Sequence, residues 1–462
     1  MAIGTFKLPT GGTSTSTWTR PADWLAIPTP GNQEVIGLMA VYDDGANYVA
    51  VQCQGNYTVD WGDGTVTNYT SNTTASYQHV FSTLSSGTLT SDGFRQALVR
   101  ITPQSGQNLT VVSFGITNTT INKSFAPGWL EFDIRTPNCI PTFSGSSNII
   151  RYGRLEKINV RQWGTTASTS NLFNSLYNLK SIYIEPTETS AITTMNNMFA
   201  NCYSLEEVNA FDTSAATNIS SMFDSCYSLV TIPLFNFSAS TNALGAFQNC
   251  FSLINVPVIT LGTDCSQMFF NCVSLETVEL LNTSNVTNFT SMFNSCRSLK
   301  TISLIDTSKG TNFTSMFASC NSLTEIPLLN TTLATNMTGM FNGAQMIQYI
   351  PALNTATVTT LNQTFNNCWN LRQLPAFSLP VCTVFTTWLG SNTTLSKSGV
   401  INPTRGHSYT GMSLSQANIV TIFNNLGTAS GAQTITVSSN PGYAGLTAGE
   451  RLIATGKGWT IA

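Results

Sequence analysis

Residues 292–304, MFNSCRSLKTISL, decide the fold, because the same pattern returns as MFDSCYSLVTIPL at 222–234 and as MFASCNSLTEIPL at 316–328. The phenylalanine of this motif marks a register that runs through much of the chain. Its members are Phe173, Phe199, Phe223, Phe247, Phe269, Phe293, Phe317, Phe341 and Phe365. Most steps between them are 24 residues, and we assign one step of 26 and one of 22 to a loop insertion and a loop deletion. A repeat of fixed length predicts a solenoid of stacked coils.

Each phenylalanine, taken as position 0, is followed by further apolar columns. Cysteine mostly stands at +3, leucine or isoleucine at +6, and a branched aliphatic residue at +9, as in Cys296, Leu299 and Ile302. Another apolar or small residue stands at +11, as in Leu304 and Leu328. Because +9 and +11 are two residues apart, we expect both on the buried face of a strand. This spacing within a period of about 20–29 residues is typical of leucine-rich repeats and predicts a parallel sheet along the stack.

Two columns of small side chains complete the coil. Free cysteine is often buried, so we expect the seven cysteines at +3 to be packed and reduced. The chain has no C-x-x-C, which disfavours zinc. Threonine stands at −6 in eight successive coils, from Thr193 to Thr359, mostly followed by Asn or Asp. This column predicts a turn whose backbone groups need side-chain partners at every level, with a binding stripe as the alternative.

The pattern SMF-x-SC-x-SL-x-x-I-x-L, with TSNVTNFTSMF between strands, resembles the BspA-like leucine-rich repeats, including those of bacterial surface lipoproteins. The C-terminal segments TITVSSNPG and ATGKGWTIA resemble the closing part of many such proteins. The resemblance covers residues 125–462 and implies a solenoid that binds host or partner proteins. Near its end we predict a helix at SLSQANIVTIFNNLG, capped by Ser413 with help from Gln416, and another at LTAGERLIATGKG.

The N-terminal third alternates strand patterns and turns. The run Trp61-Gly62-Asp63-Gly64, with His79 downstream, resembles the PKD-type β-sandwich, in which Trp61 would fill the space between the sheets. Asp60 and Asp63 are predicted to cap the turn, with calcium as the less favoured alternative. The resemblance implies a spacer or contact module.

The predicted fold class is mainly β, with an N-terminal β-sandwich, a leucine-rich-repeat solenoid and an α/β cap. Phe125 and Ile149 lie 48 and 24 residues before Phe173, so the solenoid is predicted to begin near residue 119. The resulting division is an arm at 1–33, the sandwich at 34–118, the solenoid at 119–398 and the cap at 399–462. We expect the solenoid and its cap to fold without the N-terminal part.

The amino-acid composition disfavours several classes of function. Charged residues make up 9% of the 462 residues, the net charge is −3, and 19 Lys and Arg do not suit a nucleic-acid or anionic-membrane binder. No apolar run of membrane-spanning length occurs. Two histidines, and no close pair among Glu207, Glu279 and Glu325, count against an enzyme such as a depolymerase. We expect no catalytic site, no cofactor and no metal.

The N-terminal sequence MAIGTFKLPTGGTSTSTW has no signal-peptide pattern, yet the modules resemble extracellular ones and the surface is rich in Thr, Ser and Asn. Together these features favour an adhesive surface protein of a bacteriophage particle, made in the host cytoplasm: a capsid decoration, head fibre or tail fibre. The alternative is a bacterial or protist cell-surface adhesin. The expected partners are capsid or tail proteins, a host cell-surface protein or glycan, and a second copy of the chain.

Two groups of residues are candidate binding sites. Trp18, Trp24 and Leu25 belong to an apolar arm that either attaches to a partner or docks on the chain's own sandwich, and we favour attachment. The second group is position +8, on the predicted solvent face of the solenoid sheet: Glu207, Thr231, Asn255, Thr277, Thr301, Glu325 and Tyr349.

Overall fold

The computed structural model describes residues 18–45, 47–114, 128–143, 153–279, 281–385 and 387–462. Within them, the residues up to Phe235 form one compact unit and Asn236–Ala462 form another. Phe125 and Ile149, on which the predicted start of the solenoid depends, lie outside the described residues.

The first unit contains eleven described strands and three short 3₁₀ helices. The strands are β1 (Glu34–Val41), β2 (Tyr48–Gln54), β3 (Tyr57–Asp60), β4 (Val66–Tyr69), β5 (Thr74–Gln78), β6 (Arg95–Pro103), β7 (Val111–Ser113), β8 (Trp129–Thr136), β9 (Lys157–Trp163), β10 (Ser181–Ile184) and β11 (Glu207–Val208). The 3₁₀ helices are Phe81–Thr83, Ser86–Thr88 and Pro186–Thr189.

Two sheets pack together at the N-terminal end of this unit. One has the order β11-β10-β9-β8-β1-β6-β3-β4, and the other has β2 between β5 and β7. The Tyr57 hydroxyl on β3 donates to the Val51 carbonyl on β2 at 3.3 Å, and Trp61 stacks on Tyr77 with ring centroids 4.6 Å apart. Trp61 is fully buried, as predicted from the sequence.

The larger sheet continues directly into the first coils. Strand β8 pairs antiparallel with β1, for example Ile134 opposite Val35, while β9, β10 and β11 follow β8 in parallel. Removing the N-terminal strands would therefore leave the edge of β8 without its partner. This pairing argues against the expectation that residues 119–462 fold independently, because the first coils complete their sheet with β1.

The second unit contains ten described strands, two α-helices and the 3₁₀ helix Tyr443–Gly445. These are β12 (Asn255–Val256), β13 (Ile259–Thr260), β14 (Thr277–Val278), β15 (Leu281–Asn282), β16 (Thr301–Ile302), β17 (Gln373–Ser378), β18 (Lys397–Ile401), β19 (His407–Ser408), α1 (Gln416–Asn425), β20 (Gln433–Thr436), α2 (Ala448–Thr455) and β21 (Trp459–Ile461). The coil strands pair in parallel, in the ladders β12-β14-β16 and β13-β15.

Phenylalanine stacks form the centre of the coils, as the register predicts. In the second unit, the ring of Phe293 lies 5.7 Å from that of Phe269 and 5.8 Å from that of Phe317, nearly parallel to both. Phe173, Phe199 and Phe223 stack in the same way in the first unit. The residues at +3, +6 and +9 beside them are also buried, except that Val208, at +9 from Phe199, is half-buried. The chain is therefore mainly β, with a leucine-rich-repeat-like solenoid.

Position +11 differs from the prediction. Leu304 and Leu328 are each 64% exposed, whereas Ile305 and Leu329, at +12, are 2% exposed. Position +10 is often proline, as in Pro327, which lacks the N–H that a ladder needs. The chain turns there, and a second strand begins at +12 with the inward side chain. The period-two interpretation was therefore wrong beyond +9 in these coils, whereas it holds in the coil of Phe173, where Ile182 and Ile184 are both buried.

A left-handed residue stands on either side of most of the phenylalanines. Ser291 and Ser295, at −2 and +2, have φ of 53° and 64°, and the same positions elsewhere hold Ser, Asn, Gln or Gly. The coil of 22 residues, between Phe247 and Phe269, requires glycine at position 262 because of a close contact. A Cβ on Gly262 would lie 1.6 Å from the Ser240 carbonyl oxygen. The turns thus explain why small and polar residues recur at fixed places.

Both predicted C-terminal helices are present, but the first begins later than expected. Ser415, not Ser413, caps α1 by accepting from the Asn418 N–H, because Ser413 donates its hydroxyl to the Thr393 carbonyl instead. Thr447 and Glu450 form a complete capping box on α2.

Candidate binding surfaces

Successive side chains of a strand lie on opposite faces of the sheet. The side chain at +8 therefore points toward solvent, because the side chain at +9 points into the core. In the second unit, Asn255, Thr277, Glu325 and Tyr349 are exposed and Thr301 is half-buried. The parallel ladder aligns Asn255, Thr277 and Thr301 in a row, in which the Thr277 hydroxyl donates to the Asn255 side-chain oxygen at 2.7 Å. We call these five residues the +8 row.

The first unit contains the two other predicted residues of this position. Thr231 is exposed, and half-buried Glu207 accepts a hydrogen bond from the Ser181 hydroxyl at 2.7 Å. The structure thus places all seven predicted residues at the solvent-facing edge or face of a coil. Their role in binding stays a prediction.

The +8 row varies in chemistry on a repeated frame. The inward columns keep the same residue types from coil to coil, whereas the row contains an amide, two hydroxyls, a carboxylate and a phenol. Parallel strands hold neighbouring members about 4.8 Å apart. The result is a fixed backbone that presents different side chains at regular spacing, which suits recognition of an extended partner surface.

Position +11 carries exposed side chains in several coils of the second unit, although in the coil between Val258 and Leu304 this position lies outside the described residues. We call Val258, Leu304 and Leu328 the leucine stripe; they are 50%, 64% and 64% exposed. Ala352 and Ala376 continue it at the same position. A shallow groove of about 540 Å³ runs beside Leu304 and Leu328, and its other side carries the polar side chains of Asn282, Ser284, Asp306 and Asn330. The sequence interpretation missed this surface because it placed +11 in the core.

The threonine column at −6 serves the backbone. The Thr311 hydroxyl donates to the Thr287 carbonyl at 3.3 Å, and Thr335 donates to Thr311 at 3.2 Å, one coil further on. A second column at +14 does the same from inside, where buried Thr307 donates to the Asn330 carbonyl at 2.9 Å. The structural interpretation of the column fits these contacts better than a binding stripe, because the hydroxyl protons are already used.

The cysteines also serve the backbone. The thiol of Cys296 donates to the Phe269 carbonyl at 3.1 Å, and that of Cys320 to Phe293 at 3.1 Å. All eleven cysteines are free and buried. Burial raises the pKa of the Cys202 and Cys272 thiols to about 12. The thiolate is the nucleophilic form, so these residues are unsuited to catalysis near neutral pH.

Both histidines are packed among aromatic rings. His79 is 1% exposed and lies edge-on to Tyr77, with its Nδ1 3.6 Å from an Asp63 carboxylate oxygen. His407 packs against Trp388 and Trp459 and contacts the Arg405 carbonyl oxygen through Nδ1. Burial lowers the pKa of each ring to about 4, so both are neutral at pH 7. Neither ring is accessible to a substrate.

The predicted attachment arm docks on the chain's own sheet. Trp24 is 7% exposed in a cluster with Leu38 and Phe94, against which Trp18 and Leu25 also pack. The Trp18 indole N–H donates to a Glu156 carboxylate oxygen at 3.1 Å. Docking on the sandwich is therefore the alternative that the contacts favour. Trp24 cannot anchor a partner, because its ring is already buried.

An ion pair with the larger sheet also holds this arm in place. Arg20 pairs with Glu131 at 2.6 Å, and Lys157 approaches the other oxygen of Glu131 at 3.4 Å. Beside them, Arg161 makes two 2.7 Å hydrogen bonds to Asp133. Glu131 and Asp133 are almost fully buried, so the partners compensate charges that would otherwise be costly.

Asp60 and Asp63 accept hydrogen bonds from backbone N–H groups of their own turn. Asp60 accepts from the Gly62 N–H at 3.0 Å and Asp63 from the Thr65 N–H at 3.0 Å, which is turn capping. The parts of the chain that the structure describes contain no cluster of His, Cys, Asp or Glu with the geometry for a metal ion. None of the helices described has the length and apolar character of a membrane span.

Comparisons with known proteins centre on the repeats. A family described as "Mycoplasma protein of unknown function, DUF285" matches residues 143–257 and 263–376, just under half of the chain. No curated protein sequence matches significantly.

Among solved structures, similarity is found to a leucine-rich-repeat protein from T. pallidum and to one from Eubacterium ventriosum. The first is 20% identical, with 37% of this chain and 72% of that chain covered and a TM-score of 0.27. The second is 15% identical, with 61% and 85% covered and a TM-score of 0.32. The chain is thus a mainly β protein whose leucine-rich-repeat-like solenoid carries two matches to the DUF285 family.

Proposed function

We propose that the chain is an adhesive, non-enzymatic binding protein whose +8 row contacts a protein or glycan on a cell surface. The observation that carries this proposal is the contrast between constant inward columns and a variable outward row. Core packing constrains the inward columns, whereas an exposed row whose chemistry varies along the stack supports selective contact. The buried histidines and cysteines support the absence of catalysis.

We place this protein on a bacteriophage particle, with the surface of a bacterial or protist cell as the alternative. Eleven free, buried cysteines support folding in a reducing cytoplasm, where virion proteins are made. The low content of charged residues, 9%, suits an exposed structural protein. The match to a family named for Mycoplasma supports the cellular alternative.

The binding proposal is tested with fluorescently labelled full chain and a panel of intact bacterial cells. A triple variant, Thr277→Ala, Glu325→Ala and Tyr349→Ala, changes the +8 row only. Ser308, Lys309 and Thr332 lie on exposed or half-exposed turns away from this row, and their triple alanine variant is the control. We expect at least a tenfold loss of cell binding in the first variant and unchanged binding in the second. Equal binding by both variants, or no binding by the parent chain to any cell tested, would refute the proposal.

Location is tested separately with antibodies against the purified chain. Gold labelling of purified phage particles supports the virion, and labelling of intact cells supports the adhesin. Signal confined to the interior of cells would contradict both placements without bearing on the binding result.

A further inference from the structure

The docked part of the N-terminal arm, residues 18–27, contributes no strand to either sheet of the first unit. Its contacts involve side chains instead. The Leu25 N–H donates to the Gln96 side-chain oxygen at 2.8 Å, and the Ser91 N–H and hydroxyl both donate to the Asp23 carboxylate at 2.8 Å. We call the surface beneath the arm the arm site; it includes Leu38, Ser91, Phe94, Gln96, Glu131 and Glu156.

The acidic residues of the arm site keep a cation when the arm leaves. Arg20 of the arm pairs with Glu131, but Lys157 lies 3.4 Å from the other oxygen of that carboxylate. Glu156, which accepts a second hydrogen bond from the arm, has Lys180 at 3.1 Å. Both lysines belong to the coils and not to the arm. An unpaired buried charge is very costly, so these lysines remove the main electrostatic obstacle to an open arm.

The connection between the arm and β1 reverses direction. Leu25 is bound to Gln96, whose strand partner Ala40 lies near the far end of β1. The chain therefore runs back along β1 and turns at Gln33 to enter that strand. Gln33 has a φ of 58°, which residues with a side chain rarely adopt, and Pro28 keeps the residue before it extended. A short hinge under such constraints favours exchange of a terminal segment between copies.

We infer that two copies of the chain exchange their arms, so that the arm of each copy fills the arm site of the other. The exchange is reciprocal and closes on itself, which gives a twofold dimer. Every contact of the docked arm is retained. While the arm lies on its own sheet, Trp24 is unavailable to a partner; after exchange, the same ring is buried in the other copy and becomes the anchor between the two. The exchanged contacts all lie in the first unit and use no residue of the +8 row.

Because the arm makes the same contacts in both forms, concentration and the hinge decide the balance between monomer and dimer. An arm on its own chain has a high effective concentration at its site, which favours the monomer on dilution. We therefore expect sedimentation of the full chain to show a dimer whose share rises over about 1–100 µM, after incubation long enough for both arms to leave their sites.

Cysteines across one arm contact test the exchange directly. Asp23→Cys and Ser91→Cys are made in separate chains, which are mixed and treated with a short bifunctional thiol reagent. All native cysteines are buried, so they do not compete. We expect dimers that join residue 23 of one chain to residue 91 of the other, identified by mass spectrometry. Their yield should be at least about fivefold above that from Asp23→Cys mixed with Ser71→Cys, an exposed position in the turn between β4 and β5.

Lengthening the hinge separates exchange from chance collision. Inserting Gly-Ser-Gly-Ser between Pro30 and Gly31 keeps every arm contact and lets the arm reach its own site more easily. We expect this insertion to lower both the dimer and the 23–91 crosslink at least about threefold. A parent chain that is monomeric throughout, a 23–91 yield no higher than that with Ser71→Cys, or a dimer insensitive to the insertion would overturn the inference. None of these results bears on cell binding by the +8 row.

Discussion

Replacing Phe293 by alanine is the most direct test of the coil packing. The Phe293 ring is completely buried between the rings of Phe269 and Phe317, 5.7 and 5.8 Å away. A buried Phe→Ala change costs about 3–5 kcal/mol of unfolding free energy, and each lost ring pair adds roughly 0.5–1.5 kcal/mol in favourable cases. We therefore expect Phe293→Ala to lower the stability of these coils by at least about 3 kcal/mol.

Native-state hydrogen exchange is the suitable assay, because coils exchange by local opening as well as by global unfolding. The N–H of Phe293 donates to the Met316 carbonyl at 3.0 Å and that of Phe317 to Met340 at 2.8 Å, so these amides report on the stack. A loss of 3 kcal/mol corresponds to about a 150-fold fall in protection. Nearest-neighbour coupling predicts that the fall declines with distance from the substituted coil.

Thr301→Ala is the matched control, because this half-buried side chain points outward from the same coil. We expect it to change stability by less than about 0.5 kcal/mol. Protection that falls equally in both variants, or a loss below about 1 kcal/mol for Phe293→Ala, would refute the packing argument.

Three further predictions concern the turns, the thiols and acid. Ser295 has φ of 64°, so Ser295→Val should lower the unfolding free energy in urea by about 1–3 kcal/mol, whereas Ser295→Gly should be tolerated. A thiol reagent should label no cysteine of the native protein and all eleven after denaturation, while a disulfide between neighbouring coils would contradict the structure. The pKa of His407 falls from 6.5 to about 4 on folding, so stability present above pH 6.5 should be lost by up to about 1.4 kcal/mol per unit between pH 6.5 and 4. His407→Gln should reduce that slope, as followed by urea melts.

The repeated columns could be predicted because each depends on one local rule. Positions 0, +3, +6 and +9, occupied in one coil by Phe293, Cys296, Leu299 and Ile302, face the core in nearly all the described coils. The same type of side chain is therefore needed once per coil, which produces the repeat in the sequence. The +11 residue could not be placed by the same reasoning. Its burial depends on where the strand ends, and the turn at +10 reverses the direction in which the next side chain points.

Two features could not be predicted from local sequence patterns, because both depend on contacts between distant parts of the chain. These are the docking of the N-terminal arm and the pairing of the first coils with the N-terminal sheet. An apolar Trp24 suits a partner interface as well as the chain's own core, and the packing against Leu38 and Phe94 decides between them. Similarly, no local pattern in β8 indicates that its neighbour is β1, more than 80 residues earlier in the chain. The +8 row was predictable in position, since it precedes a buried strand residue, but not in what it binds.

The repeating coil has a consequence for how such a gene changes. The upper and lower faces of a coil carry the same phenylalanine, cysteine and threonine contacts, so one coil can follow another without a special junction. Recombination between repeats in the DNA that removes or duplicates 24 codons therefore preserves every column. The shortened coil around Gly262 shows that even a step of 22 is accommodated when a glycine relieves the turn. The number of coils can therefore change by whole repeats during evolution. Each such change alters the length of the +8 row and leaves the packing of the core unchanged.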